Sequence, residues 1–147
     1  MRRWLWVLLV AGCGKDPEAS PGVAPAPART EDLPLPALGG FEYKEKMSLP
    51  EFVTKWSGKR VRATGFMNPT TQARNLTTFF LVKDRASCCF GKRPQINHYV
   101  EVKLKAGAAA SYTTDPVTVE GNFTVEDRWD GDWQLGLYWM DHAEVVK

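Results

Sequence analysis

Five short runs of strand-forming residues limit what this chain can fold into more than any other feature. Several of the runs alternate between apolar and polar residues, and others are rich in β-branched and aromatic side chains. A period of two indicates half-buried strands, and Asp130-Gly131 is a hairpin signal between the last two runs. The runs are residues 60–67, 77–83, 98–104, 116–125 and 133–140. They predict an all-β domain.

Glycines inside the first and fourth runs predict how the sheet curves. Gly65 and Gly121 have no side chain to pack, and a glycine within a strand marks a bulge or a sharp bend. Five strands with two such bends predict an OB-like Greek-key barrel, in which closure removes exposed strand edges. An immunoglobulin-like sandwich is the alternative, although it needs about seven strands.

One short helix is expected ahead of the first strand, over residues 49–56. Ser48 and Glu51 have the spacing of a capping box, in which each side chain binds the other residue's backbone amide. Apolar residues recur at helical spacing within this stretch, and Gly58 follows as a stop signal. The residues on the apolar face are Leu49, Phe52, Val53 and Trp56.

The first twelve residues have the pattern of an export signal rather than of a folded element. Arg2 and Arg3 precede an apolar run over residues 4–11, which is far shorter than the roughly 20 residues that span a bilayer. Val10-Ala11-Gly12-Cys13 then resembles the lipobox of bacterial lipoproteins. This resemblance implies cleavage after residue 12, a lipid on Cys13 and anchoring in the membrane by that lipid. An ordinary cleaved signal peptide is the alternative.

Loss of the leader changes the charge of the protein. The whole chain has a formal net charge of +2, and removal of Arg2 and Arg3 leaves it close to neutral. A neutral domain lacks the basic surface that phosphate backbones require, which argues against nucleic acid as a partner. Gly14, rather than Asp, follows Cys13. In enteric lipoproteins that accompanies outer-membrane sorting, so the resemblance implies an outer-membrane anchor facing the periplasm.

Residues 13–40 are predicted to be a disordered, proline-rich linker. Six prolines lie between Gly14 and Gly40, and proline removes the backbone donors that helices and sheets need. At about 3.1 Å per residue in a polyproline conformation, the stretch reaches roughly 80 Å and would hold the domain off the membrane. The folded domain is therefore assigned to residues 41–147.

Four motifs follow one another in the domain: Gly-Lys-Arg-Val-Arg-x-x-Gly-Phe-Met-x-Pro, Phe-x-Leu-Val, a cysteine loop with a proline, and Pro-Val-x-Val-x-Gly. This order, over about residues 59–125, resembles an uncharacterised OB-like domain family of bacterial periplasmic proteins and lipoproteins. In that family the loop often carries Cys, His and several prolines. Here Cys88-Cys89 have no adjacent His, and Pro94 is the one proline. The resemblance implies a fold and a location, not a reaction.

The adjacent cysteines Cys88 and Cys89 allow three hypotheses. Two thiolates suit Cu(I) or Zn(II), and His98 is the candidate third ligand, with Met67, Met140 or His142 as a fourth. Alternatively, neighbouring Cα atoms about 3.8 Å apart lie below the usual disulfide range of about 4.4–6.8 Å, so a bond between these cysteines would be strained and easily reduced. In the third hypothesis both are structural, one buried and one exposed.

Aromatic residues cluster near the predicted hairpin. On the face of an OB-like barrel such a cluster stacks sugars or bases, whereas the alternative is that the rings fill the core. Asp127, Asp130 and Asp132 resemble part of a calcium loop but lack its full ligand pattern. The stacking candidates are Trp129, Trp133, Tyr138 and Trp139.

Together these features predict a lipid-anchored protein of the bacterial envelope, in which an OB-like domain binds a protein, a glycan or another ligand. No catalytic constellation is recognisable, so the protein is not expected to be an enzyme, and no cofactor is expected. The alternative is a protein that handles copper or zinc, or that does thiol redox chemistry, through Cys88, Cys89 and His98. The oligomeric state stays open.

Overall fold

A computed structural model describes residues 29–69, 72–86 and 94–146 of the chain. Strands dominate this part, so the prediction of an all-β domain is confirmed. The strands are β1 (Glu31–Asp32), β2 (Lys59–Pro69), β3 (Thr78–Val82), β4 (Tyr99–Leu104), β5 (Val117–Asp130) and β6 (Trp133–Val146). The helices are α1 (Leu35–Leu38) and α2 (Glu51–Thr54).

The strands form one mixed sheet whose pairings run round a ring. The order is β1-β2-β3-β4-β6-β5, and β2 also pairs with β5. Within the ring, β4 pairs with β6 in parallel and the other neighbours are antiparallel. The short strand β1 is added in parallel to β2.

At both glycines for which a bend is predicted, the pairing of the strand changes. Up to Gly65, β2 pairs with β5, and from Phe66 it pairs with β3. A Cβ on Gly65 would lie 2.6 Å from the Leu35 side chain and from the Val82 carbonyl oxygen. The β5–β6 register shifts on either side of Gly121, which confirms the bulge expected there. Only glycine allows these close approaches.

Alternate residues of the strands point into the ring and form the core. In β2, Val61 and Ala63 are buried while Arg62 and Thr64 face outward, as their alternation predicts. Beyond the ring, residues 125–130 of β5 pair only with residues 133–138 of β6, and we call this part the hairpin extension. The largest fully buried side chains include Tyr138, Phe79, Phe123, Leu76, Leu81, Leu137 and Met140.

The prediction of a disordered linker as far as Gly40 is wrong for its last part. The apolar residues Leu33, Leu35 and Leu38 are buried in the core, and β1 pairs with β2 at Val61 and Arg62. The prolines of this stretch do not oppose the fold, because Pro34 caps α1 and Pro36 lies in its first turn, where a backbone donor is not needed. Residues 13–28 lie outside the described residues.

Three element boundaries also differ from prediction. The prediction of a capping box is wrong, because Pro50, with an extended backbone and no side-chain cap, is the N-cap residue of α2. The helix itself is a single turn. Gly58, with φ +81°, ends the turns after α2 as expected. Strand β5 continues five residues past the predicted end at Val125, and β6 is one strand to Val146. Their mutual pairing extends both strands beyond where alternation is visible in the sequence.

Candidate functional site

The four aromatic stacking candidates have very different exposures. Trp133 is 77% exposed at the hairpin tip, and Trp129 is half-buried with the Lys46 ammonium 5.3 Å from its ring centre. Tyr138 is 1% exposed and donates a hydrogen bond to the Leu38 carbonyl oxygen at 2.9 Å. Trp139 is buried as well. Only Trp129 and Trp133 therefore present accessible rings.

Trp139 lies on the outer side of the strand ring, where its neighbours hold it in place. Its Nε1 donates to the Glu126 carbonyl oxygen at 2.8 Å, and the Arg128 guanidinium stacks 4.2 Å from its ring centre. Gly136 packs against the Trp139 indole, and a Cβ added at Gly136 would lie only 3.0 Å from that side chain. These contacts give Trp139 a structural role where the hairpin extension joins the strand ring.

The proposed metal or redox group is described only in part. Cys88 and Cys89 lie outside the described residues, as does Cys13. His98 packs its ring against Gly39, and burial, with the charge of Lys83, lowers its pKa. Its imidazole is therefore favoured in the neutral form, the form that binds metals. Met67 and Met140 belong to the hydrophobic core.

The remaining ligand candidates are dispersed. His142 is exposed, with φ 51°, and borders a separate cleft of about 290 Å³ together with Lys103 and Asp141. Asp130 and Asp132 are exposed at the hairpin tip. Among the residues that the structure describes, no three His, Cys, Asp or Glu side chains form a group able to hold a metal ion.

A polar cleft lies between the start of the domain and the hairpin extension. Its volume is about 420 Å³, which is within the ~300–1,000 Å³ typical of small-molecule sites. Residues 42–45 form one wall, residues 95–97 ahead of β4 a second, and Gln134 of β6 a third. The cleft is lined by Glu42, Tyr43, Glu45, Gln95, Ile96, Asn97 and Gln134.

Tyr43, Gln134 and Asp127 form a hydrogen-bond network that fixes one side of the cleft. Gln134 Nε2 donates to the Tyr43 hydroxyl at 2.6 Å and to Asp127 Oδ1 at 2.7 Å. The Tyr43 hydroxyl donates to Asp127 Oδ2 at 3.3 Å. Burial raises the pKa of Tyr43, the hydrogen bond from Gln134 lowers it, and the charge of Asp127 raises it again. The network joins residues far apart in sequence.

Asn97 is the residue in the cleft wall whose hydrogen bonding is incomplete. Its side chain is fully buried, and Nδ2 donates to the Phe41 carbonyl oxygen at 2.9 Å. Because that oxygen only accepts, the amide must be oriented with Nδ2 towards it. Oδ1 then has no partner among the described residues. An unpaired buried acceptor costs about 1–3 kcal/mol, so it calls for an explanation such as a ligand or a water molecule.

Sequence reasoning missed this cleft. Residues 41–47 have no periodicity and were assigned no role, and Asn97 is one polar residue in the loop before a strand. Only the fold brings them within reach of Gln134. Trp129 gave the one usable signal, because it pairs in register with Gln134 beside the cleft.

Neither helix in the described part of the chain has the length and apolar character needed to cross a bilayer.

Comparison with known proteins yields a family match without an activity. Residues 30–147 match the model of a family described as "Protein of unknown function (DUF3299)". A DUF3299 family protein from Pseudomonas aeruginosa PAO1, whose crystal structure is known, is 25% identical to this chain in sequence, and the two structures superpose with a TM-score of 0.49. The similarity covers 65% of this chain and 66% of that one, just under two thirds of its length. A search of curated proteins found no match.

Proposed function

The chain belongs to the DUF3299 family of bacterial proteins of unknown function, and we propose that it is a non-enzymatic binding protein that holds a small polar ligand in the cleft. The observation that carries this proposal is Asn97, whose unpaired oxygen is buried in the wall of a cleft of about 420 Å³. The oxygen is enclosed in this structure, so a ligand donor reaches it through a movement of the cleft wall, and the pairing then removes the cost of leaving it unpaired.

A glycan is the ligand class that fits the cleft best. Sugars are recognised by convergent amide, hydroxyl and carboxylate groups beside an aromatic ring, and the cleft combines Tyr43, Asn97, Gln134 and the carboxylates of Glu42 and Glu45. The half-buried Trp129 stands next to Gln134 in the paired strand. A protein partner that inserts a polar side chain into the cleft is the competing outcome of the binding test.

The proposed scaffold for this binding function is an OB-like barrel. Antiparallel β2, β3 and β4 follow one another, and β5 returns to lie beside β2, which is the strand order of a Greek key. Pairing of β2 with β5 leaves the five ring strands without a free first or last strand. OB folds bind oligonucleotides and oligosaccharides on the face of their second and third strands and through two loops, one of which is the hairpin between the last two strands.

The proposed location is the bacterial envelope, with a lipid on Cys13 as a membrane anchor and the domain in the periplasm, bound to the outer membrane. The support is the sequence pattern of Arg2, Arg3, the apolar run and Val10-Ala11-Gly12-Cys13. Intact mass of the chain recovered from membranes should show a leaderless, acylated Cys13. Cys13→Ser should release the protein from the membrane fraction, and an unchanged distribution contradicts the lipid anchor.

A copper, zinc or thiol-redox function through Cys88 and Cys89 is the second candidate. The supporting observation is the place of His98, which follows the cysteine segment in the chain and packs its ring against Gly39, where burial lowers the pKa of the imidazole. Native intact mass separates the states, because a disulfide removes two hydrogens and a bound metal adds its own mass. Replacing both cysteines with Ser should abolish this function and leave ligand binding in the cleft unchanged.

Titration of the full chain with oligosaccharides tests the primary proposal. We expect saturable binding of the N-acetylglucosamine trimer or the glucosamine trimer, followed by intrinsic tryptophan fluorescence. Asn97→Ala and Gln134→Ala should each weaken binding about tenfold or more, the equivalent of about 1.4 kcal/mol. The matched control Asn122→Ala, at an exposed position of β5, should leave affinity unchanged.

Urea unfolding of each variant shows whether a loss of binding comes from unfolding. Gln134→Ala is the decisive variant if Asn97→Ala destabilises the fold, since Gln134 is outside the core. Absence of binding to both trimers contradicts a glycan as the ligand, and unchanged affinity of a folded Gln134→Ala protein contradicts the cleft as the site. Ordered water paired with Asn97 would then account for its free oxygen.

A further inference from the structure

The charged residues that line the cleft are acidic. Glu42 and Glu45 line it with carboxylates, and a third carboxylate, Asp127, contacts Tyr43 and Gln134 in its wall. Asn97, which also lines the cleft, has an enclosed side-chain oxygen that can only accept. Among the described lining residues none carries a positive charge. A complementary ligand must therefore supply hydrogen-bond donors, and a positive charge on it is favoured.

We infer, on the basis of the binding function proposed above, that the cleft recognises a primary ammonium group, such as the free amine of an amino sugar or of a lysine side chain. A primary ammonium has three donors and no acceptor, so its chemistry matches both the carboxylates of the lining and the acceptor oxygen of Asn97. An acetylated amine offers one donor and adds a carbonyl oxygen, which finds few donors in this cleft.

Lys46 shows that the neighbourhood of the cleft already attracts an ammonium group. Its Nζ lies over the ring of Trp129, at 5.3 Å from the ring centre, in a cation–π contact. The backbone of Lys46 has φ 58°, in the left-handed region that non-glycine residues seldom adopt. Glu45, in the cleft wall, and Lys46 form a turn, and the Lys46 side chain extends from this turn to Trp129. Lys46 itself does not line the cleft, so its ammonium does not fill it.

Calorimetric titration of the full chain with three probes tests the inference. The probes are the glucosamine trimer, the N-acetylglucosamine trimer and Nα-acetyl-lysine amide. We expect the glucosamine trimer to bind at least about tenfold more tightly than its acetylated form. Added salt should reduce that preference, because it screens the attraction between the ammonium and the carboxylates.

A double variant, Glu42→Gln with Glu45→Gln, identifies the groups that produce the preference. It should bind the two trimers with nearly equal affinity. Glu51→Gln removes an exposed carboxylate from α2, outside the cleft lining, and should keep the preference. A preference that persists in the double variant overturns the assignment to these carboxylates, and Asn97→Ala then shows whether the free oxygen supplies it.

The outcomes separate the inference from the proposed function. Equal affinity of the wild type for both trimers overturns the ammonium inference and leaves the cleft as a ligand site. Absence of binding to all three probes overturns both. Tighter binding of the lysine amide than of the glucosamine trimer supports the ammonium group and identifies a protein side chain as its source.

Discussion

Compared side by side, the inside of the strand ring and the cleft beside it differ in what their side chains contact. The ring interior is filled by apolar residues from all five of its strands, with Leu33, Leu35 and Leu38 added from the N-terminal segment. The cleft is lined mostly by polar residues, of which Gln134 donates to Tyr43 and Asn97 donates to a backbone oxygen. Within the part of the chain that the structure describes, Asn97 keeps a buried acceptor without a partner.

This difference separates stability from recognition. Apolar burial is non-directional and scales with the area removed from water, so the side chains inside the strand ring stabilise the fold without selecting a particular ligand. Hydrogen bonds contribute little net stability but require a particular geometry, so the cleft adds specificity at little gain in folding free energy. Changes in the ring should therefore alter unfolding, and changes in the cleft should alter ligand affinity. The predictions below test that division, from the largest expected effect to the smallest.

Leu38→Ala should produce the largest loss of stability. Leu38 is buried in the core, and truncation of such a residue costs about 2–5 kcal/mol through lost burial and a new cavity. The matched control is Leu135→Ala, whose side chain is 47% exposed and should matter by less than about 0.5 kcal/mol. Urea unfolding measures both. Equal effects would mean that residues 31–38 are not part of the folded unit.

Gly65→Ala should destabilise the ring by about 1–3 kcal/mol through overpacking. The new Cβ would clash with the Leu35 side chain and the Val82 carbonyl oxygen. Adding Leu35→Ala should cost less in this background than in the wild type, because it removes one of the two clashing groups. Simple additivity of the two changes in urea unfolding contradicts the close packing at Gly65.

Tyr138→Phe should lower stability by about 1 kcal/mol at neutral pH, because it removes the hydrogen bond to the Leu38 carbonyl oxygen. Burial also raises the pKa of Tyr138 above its ordinary value of 10.0. The folded state therefore keeps its proton where the unfolded state loses it, so this stability falls as the pH rises above about 10. Thermal unfolding across that range should show a shallower fall for Tyr138→Phe than for the wild type.

Tyr43→Phe should change stability by no more than about 0.5 kcal/mol while weakening ligand binding. The hydroxyl bonds with Gln134 and Asp127 lie near the surface, where water replaces much of what is lost. Its removal takes one of the two hydrogen bonds that hold the Gln134 side chain and leaves the bond to Asp127, so this wall of the cleft is less well fixed. Paired urea unfolding and glucosamine-trimer titrations measure the two quantities. A large fall in stability with unchanged affinity would reverse the division between ring and cleft.

Glu101→Gln should have the smallest effect, a slight gain in stability at neutral pH. Burial raises the pKa of Glu101, as does Asp141, while Arg128 and Lys103 partly offset this. A raised carboxyl pKa means that the folded state favours the protonated form of Glu101. The stability that protonated Glu101 contributes is therefore lost as the pH rises past the ordinary value of 4.5. Melting temperatures of the two proteins should converge as the pH is lowered. A decrease at neutral pH contradicts this sign.

The strand pattern was predictable because period-two alternation records which side of a strand is buried. Val61 and Ala63, Val100 and Val102 all point inward as expected, and the hairpin at Asp130-Gly131 joins β5 to β6. The linker boundary was not predictable from proline content. Leu33, Leu35 and Leu38 lie between prolines, and their burial depends on a core supplied by distant strands.

The aromatic candidates divide for the same reason. Tyr138 and Trp139 are adjacent in sequence to each other and close to Trp133, yet the first two are buried and the last is exposed. The sequence identifies a cluster of aromatic side chains, but it does not show that Tyr138 enters the core while Arg128 and Gly136 cover Trp139 outside it. The cleft was unpredictable because its walls come from residues 42–45, 95–97 and 134, and no local pattern connects them.

The sequence by itself determined the strands, the glycine bulge, the hairpin and the division between apolar and polar faces, because each follows from local backbone and side-chain chemistry. The tertiary structure decided that β2 has neighbours on both sides, that residues 31–38 join the core, and that Asn97 keeps a free oxygen beside Tyr43 and Gln134. These outcomes depend on contacts between residues tens of positions apart, and no local preference specifies which distant groups will meet.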